Sequence, residues 1–115
     1  MEETGEMTLP RVLTALSDPT RIGLIRALAD GSEQGWGDLR APVAKSTLSY
    51  HLKLLRDAGV ICTRKEGTRC FVRLRRDEIE ERFPGLLASV LAAAEADGVG
   101  ADVSVQRARQ ASGRP

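Results

Sequence analysis

Apolar residues recur at helical spacing in four stretches of this chain and crowd into two strand-like runs. Thr8-Leu9-Pro10 opens the first stretch, with Leu9, Val12, Leu13 and Leu16 three to four residues apart. Asp18-Pro19 restarts the chain: aspartate is a good N-cap, and proline is pre-set for the first helical position. Ile22, Ile25, Leu28 and Ala29 form the stripe of this second helix, and Gly31 is its expected stop. Gly35-Trp36-Gly37 reads as a bend or a very short strand, and Asp38-Leu39-Arg40 as at most a helical turn, because Pro42 cuts it short. The stretch AKSTLSYHLKLLRDAGVI, Ala44 to Ile61, is the third helix, closed by Gly59. Val60–Lys65 and Arg69–Leu74 read as two strands with Glu66-Gly67-Thr68 near the turn. Asp77 and Glu80 have capping-box spacing, Pro84-Gly85 interrupts, and Leu86, Leu87, Val90, Leu91 and Ala94 give the last apolar face. Residues 1–7 are expected to be a flexible lead-in and residues 97–115 a loose, disordered tail, small and polar.

The order is helix, helix, short helix, helix, hairpin, helix. It predicts a mainly α fold with a small β-hairpin, a winged helix-turn-helix spanning residues 8–96. On a helical wheel Leu48, Leu52 and Leu55 fall in one narrow arc that must face the core. Ser46, Tyr50, Lys53 and Asp57 lie roughly opposite, Thr47 and Ser49 flank, and His51 sits nearer the core arc. Hydroxyl groups therefore gather at the front of a helix that projects them away from the domain.

Charge sharpens that picture. The net charge of the chain is only +1, yet residues 36–76 carry ten Lys/Arg against three Asp/Glu, a net of +7 between acidic flanks. A basic middle suits a polyanion, although a solvated mixed surface would have the same composition. The 42% of hydrophobic residues suffices for one modest core, and a chain of 115 residues buries its surface incompletely without a partner. No apolar run approaches the roughly 20 residues of a membrane span. The acidic MEETGEM start does not resemble a secretory signal, and two cysteines do not make a disulfide framework. A reducing, cytoplasmic setting is expected.

The candidate nucleic-acid contacts are Lys45, Ser46, Thr47, Ser49, Tyr50, His51 and Lys53 on the helix and Arg64, Lys65, Thr68 and Arg69 on the hairpin. A helix N-terminus offers free N–H groups and a positive dipole end to phosphate. Short hydroxyl side chains let the backbone approach base edges, and the cations serve phosphates. Each has a blander reading: Ser46 as a helix cap, His51 as a packed core histidine, Lys53 as a solvated charge, and the hairpin cations as protection of a sheet edge. Cys62 and Cys70 lie on the two strands, where a cross-strand disulfide and two small buried hydrophobes are the alternatives. Trp36 either packs over the core edge or stacks on a ligand.

LSDPTRIGLIRAL, KSTLSYHLKLLRDAGVI, RKEGTRCFVRL and RFPGLLASVLA resemble, in turn, the second helix, recognition helix, wing and C-terminal helix of the arsenic-repressor-type (ArsR) winged-helix regulators. The resemblance covers roughly Leu9 to Ala94. It implies a homodimer on double-stranded DNA, bound at an inverted repeat and usually repressing transcription in a bacterial cytoplasm, close to the nucleoid. It further implies dimerisation through the first and last helices (8–17 and 77–96), with Leu9, Val12, Leu13, Leu16, Leu86, Leu87, Val90, Leu91 and Ala94 in the interface. The chain departs from the pattern where many members bind metal: GWGDLRAPV holds no cysteine, and the one histidine sits in the recognition helix. No metal and no cofactor is therefore expected, and an unidentified small-molecule effector is the open candidate for a switch. The alternative reading is a winged-helix protein-interaction module without specific DNA binding. Enzyme chemistry has no nucleophile–base pair, phosphate loop or metal cluster to stand on.

Overall fold

The computed structural model describes residues 2–106. In chain order its elements are β1 (Glu2–Glu3), α1 (Leu9–Ala15), α2 (Pro19–Ala27), β2 (Gln34–Gly35), a 3-10 turn (Trp36–Asp38) and β3 (Leu39–Arg40). Then come α3 (Lys45–Asp57), β4 (Ile61–Glu66), β5 (Arg69–Leu74), α4 (Arg76–Arg82), α5 (Leu86–Asp97) and β6 (Ser104–Val105). The result is helical with a small antiparallel sheet, consistent with a winged helix-turn-helix.

Asp18 caps α2 as its sequence position predicts, accepting hydrogen bonds from the N–H groups of Thr20 and Arg21. The buried stripe of α2 is rotated from the expected one: Leu24, Ile25 and Leu28 are fully buried, whereas Ile22 and Ala29 are half-buried. These three pack with Val12, Leu52, Leu55, Ile61, Val72, Leu74 and Ile79 to make one core. Trp36 packs against its edge. The capping box before α4 does not form: the helix starts at Arg76, and Glu80 accepts instead from the N–H of Gly85 beyond the Pro84 break.

Arg21 shares the helical spacing of Leu24, Ile25 and Leu28, and it is buried with them. Its Nε donates to Ala15 O at 2.7 Å, capping the end of α1, and its Nη1 lies 3.0 Å from His51 Nδ1 on α3. Arginine offers no acceptor, so Nδ1 must accept, and the imidazole proton sits on Nε2, 3.9 Å from Asp18 Oδ2. One guanidinium thus ties three helices together.

β4 and β5 pair from Ile61↔Leu74 to Glu66↔Arg69, leaving a two-residue turn, Gly67-Thr68. Gly67 has φ +63°, as the first central residue of a type II′ turn requires. In this register Cys62 faces Arg73 and Cys70 faces Lys65. The cysteines are three ladder positions apart on opposite faces, so a disulfide within the hairpin is excluded. Both thiols are free, and burial pushes that of Cys62 up from its ordinary value.

Both ends of the chain differ from the flexible segments expected. The N-terminal lead-in is a sheet edge: β1 pairs with β4, Thr4 Oγ1 donates to Ile61 O at 2.8 Å, Gly5 N–H donates to Arg56 O at 2.8 Å, and Met7 is buried. The sheet order is β1-β4-β5-β2, so the hairpin is covered on both sides. After α5 the chain turns back across α2. Val103 is buried, Arg26 Nη1 donates to Val99 O at 2.6 Å, and β6 pairs with β3 in the register Leu39↔Val105 and Arg40↔Ser104. The expected tail is therefore folded as far as Gln106, and residues 107–115 lie outside the described residues. This crossing needs two glycines in contact: a Cβ on Gly100 would stand 2.3 Å from the Gly23 Cα.

Two stability outcomes follow. Gly100→Ala, which adds that clash to a φ of +73°, is expected to lower unfolding free energy by about 1–3 kcal/mol in a urea titration, whereas Gly37→Ala meets nothing within 4 Å and leaves it within about 0.5 kcal/mol. His51→Ala strips the buried Arg21 guanidinium of one of its acceptors and is expected to cost about 1–3 kcal/mol in the same titration.

Candidate nucleic-acid interface

α3 is held from below by Leu48, Leu52 and Leu55, all buried. Its other side is open: Lys45, Ser46, Thr47, Ser49, Tyr50 and Lys53 are all exposed, Tyr50 to 57%. Ser46 does not cap the helix. The N-cap is Ala44 in extended conformation, and among the described residues no side chain bonds to this end. The N–H groups of the first turn and the hydroxyls of Ser46 and Thr47 therefore face solvent together.

His51 is the exception among the helix candidates. It is buried, to 8% exposure, in the clamp with Arg21, so its expected place on the nucleic-acid face is corrected to the core side of α3. Its position next to the apolar arc explains this. Its ring stands 6.0 Å from that of Tyr50, so the buried imidazole backs the exposed phenol. Lys53 donates to Asp57 at 2.7 Å, one turn on, and this hydrogen bond holds the Asp57 carboxyl below the usual carboxylate range.

On the hairpin, Lys65, Thr68 and Arg69 are exposed at the tip. Arg64 is differently placed. Glu33 grips it as a fork, at 2.6 Å to Nε and 2.8 Å to Nη2, Glu66 adds a contact of 2.9 Å, and its guanidinium lies 4.5 Å over the Phe71 ring. The hydrogen bond from Arg64 holds Glu33 below the usual carboxylate range. The stability from this fork is therefore present above the ordinary glutamate pKa and is lost only as pH falls through the depressed one. The expected phosphate contact by Arg64 is corrected to an internal ion pair, because Glu33 arrives at the hairpin from the loop ahead of β2. Arg69, 4.8 Å over the same ring, is stacked yet exposed.

Sequence reasoning missed Arg40. It is exposed and lines one cleft with Lys45 and Ser49 at the front of α3. Its signal in the sequence was the charge sum of residues 36–76, which counted it without placing it. Among the described residues no helix is long and apolar enough to cross a membrane.

The outward apolar positions also sort themselves. Leu9 and Leu13 on α1 are 45% and 49% exposed, and Leu16, Leu86, Val90 and Leu91 are half-buried. Val12, Leu87 and Ala94 are buried within the single chain, so their expected place in an intersubunit contact is corrected. They alternate with the outward residues at helical spacing and take the inner half of a stripe too wide to face one way.

Known proteins agree with this geometry. Residues 16–64 match a family described as a helix-turn-helix domain, which takes in α2, α3 and most of β4. The chain is 34% identical over 93 residues to the uncharacterized HTH-type transcriptional regulator YceK of Bacillus subtilis (strain 168), covering 78% of this chain and 93% of that protein. It is 34% identical over 98 residues to the biofilm growth-associated repressor of Agrobacterium fabrum, covering 75% and 83%. It is 35% identical over 72 residues to the HTH-type transcriptional regulator KmtR of Mycobacterium tuberculosis, covering 61% and 55%. An exposed hydroxyl-rich helix beside a basic hairpin, on a chain with these relatives, places the protein among the helix-turn-helix transcriptional regulators: it belongs to that family and is a DNA-binding regulator, not an enzyme.

Proposed function

We propose that the protein is an ArsR-type winged-helix repressor that binds an inverted-repeat operator as a homodimer. The observation that carries the reading is the outward face of α3: five exposed residues, Lys45, Ser46, Thr47, Ser49 and Tyr50, on a rod whose opposite face is buried. In this reading the first turn of α3 enters the major groove. Thr47 and Ser49 meet base edges, Tyr50 supplies a flat face with a polar tip, and Lys45 and Lys53 take phosphates. Lys65, Thr68 and Arg69 lie along the backbone or reach into the minor groove. The dimer forms through Leu9, Leu13 and Leu16 of α1 with Leu86, Val90 and Leu91 of α5. The exposure of Leu9 and Leu13 supports this, since two half-exposed leucines on a folded helix together forgo about 1.5–3 kcal/mol of burial. A dimer twofold axis then sets the recognition helices one DNA turn apart, roughly 34 Å. The function takes place on cytoplasmic, nucleoid DNA.

Genomic footprinting of the purified protein, its own upstream region included, tests the reading. Protected sites should be inverted repeats with half-site centres about 10 base pairs apart. Protection of single, unrepeated sites, or of none, contradicts it. On such a site, Lys65→Ala or Arg69→Ala is expected to lower the slope of log affinity against log salt by about 0.9 for each lost phosphate contact. Arg64→Ala, already spent on Glu33, should lower it by less, and His51→Ala should leave it unchanged despite its stability cost. Tyr50→Ala should alter preference among operator variants more than affinity for random duplex. Equal losses on both would make Tyr50 a positioning group.

A further inference from the structure

Trp36, the single tryptophan of the chain, lines clefts on both the α3 side and the hairpin side. The cleft on the α3 side has a volume of about 500 Å³, within the range of small-molecule sites. Its floor is apolar: Leu39 and Leu48 are buried beneath it, and Trp36 and Val43 are half-buried along it. Its rim is cationic: Arg40 and Lys45 line it, and no Asp or Glu does. Among the described residues no carboxylate pairs with either cation. The Arg40 guanidinium bonds instead to neutral oxygens. Its Nη1 donates to Gly37 O at 2.6 Å and Leu39 O at 3.1 Å, and its Nη2 to the side-chain oxygen of Gln106. Two other clefts beside Trp36 differ. In one, Arg56 is paired with Glu3 and Arg64 with Glu33. In the other, Asp38 shares the lining with Arg69. The α3 cleft thus joins an apolar floor to two positive charges that no carboxylate answers.

We infer that this cleft binds a small apolar carboxylic acid in its anionic form, and that the bound acid competes with DNA. The hydrocarbon body of the acid covers the floor, and its carboxylate meets Arg40 and Lys45 at the rim. A guanidinium offers a carboxylate two parallel hydrogen bonds, and charge strengthens each. Arg40 is already held by its carbonyl and amide acceptors, so little side-chain freedom is lost on binding. A sugar–phosphate strand would answer the two charges but set polar groups against the apolar floor, so the floor favours the acid. Lys45 and Ser49 line the cleft and also lie on the face proposed to enter the major groove, so acid and duplex exclude each other. The competition rests on the DNA-binding reading of α3, whereas the site itself does not.

The test uses the full-length chain and cyclohexanebutyrate, with cyclohexanebutyramide as its uncharged counterpart. Trp36 fluorescence reports on the cleft directly, because the chain has no other tryptophan. The expected result is a saturable emission shift with a Kd of about 2 mM or lower, as a ligand of this size supports. The amide should bind about tenfold more weakly. Arg40→Gln should lower affinity for the acid by about tenfold and Arg40→Lys by less. Lys45→Gln, which removes no contact within the fold, should lower it about threefold or more, and this variant decides the point if Arg40→Gln fails to fold. Arg82→Gln, an equal loss of charge on α4, should leave it unchanged. With an operator duplex obtained by footprinting, acid at about four times its Kd should weaken binding about fivefold relative to the same concentration of sodium acetate. An emission that does not saturate with the acid, or an amide that binds equally well, overturns the site and leaves the DNA reading of α3 intact. Saturable binding of the acid with operator affinity unchanged overturns the competition. A shift produced by the duplex and not by the acid overturns the inference and assigns the cleft to DNA. A parent protein that binds no duplex removes the DNA reading and the competition with it, while the titration still decides the site.

Discussion

The burial of Leu48, Leu52 and Leu55 under α3 is the constraint from which the rest follows. Each of these side chains contributes about 1.5–3 kcal/mol when removed from water, and together they rival the whole net stability of a small domain. The opposite face of the same helix carries hydroxyls and two lysines, Lys45 and Lys53, which could be buried only with hydrogen-bond partners the core does not contain. The helix therefore has one way to lie. Rolling it would trade leucine burial for unsatisfied hydroxyls. The Arg21 guanidinium adds registry to this, because it must satisfy Ala15 O and His51 Nδ1 at once and so fixes α1, α2 and α3 against one another.

Around that rod the chain uses its ends to finish a core that is small for its length. β1 pairs with the middle of β4 and β2 with the middle of β5, so each central strand is capped at Thr63–Arg64 and Phe71–Val72. The segment after α5 crosses α2 at the glycine contact and pairs with β3, which lies shortly before α3 in the chain. The short Trp36–Asp38 turn leads directly into β3, and β6 supplies that two-residue strand with its partner.

Much of this was legible in the sequence, for identifiable reasons. α3, the hairpin and the Pro84-Gly85 break are set by local signals: leucine spacing, a glycine turn between alternating strands, and a residue that cannot continue a helix. The outward face of α3 followed from its wheel, and so did the doubt over His51, which lies at the margin of the apolar arc. What could not be read was long-range. The role of Arg21 could not be read, because its acceptors lie 6, 7 and 30 residues away. Arg64 looked free because Glu33 reaches it from another strand's approach. The N- and C-terminal strands are two residues each and acquire their meaning only from the edges they meet. Val12, Leu87 and Ala94 belonged to stripes wide enough to face both core and solvent, and spacing alone does not divide such a stripe.

The central claim is that the front of α3 is the face that meets DNA, and amide hydrogen exchange measured with and without an operator duplex addresses it most directly. The N–H groups of residues 45–47 have no carbonyl partner within the helix and should exchange rapidly in the free protein. In the complex, slowed exchange over residues 44–50 and around Gly67 is the predicted result. Exchange at residues 44–50 unchanged by saturating operator, with slowing confined to α1 and α5, would contradict the account.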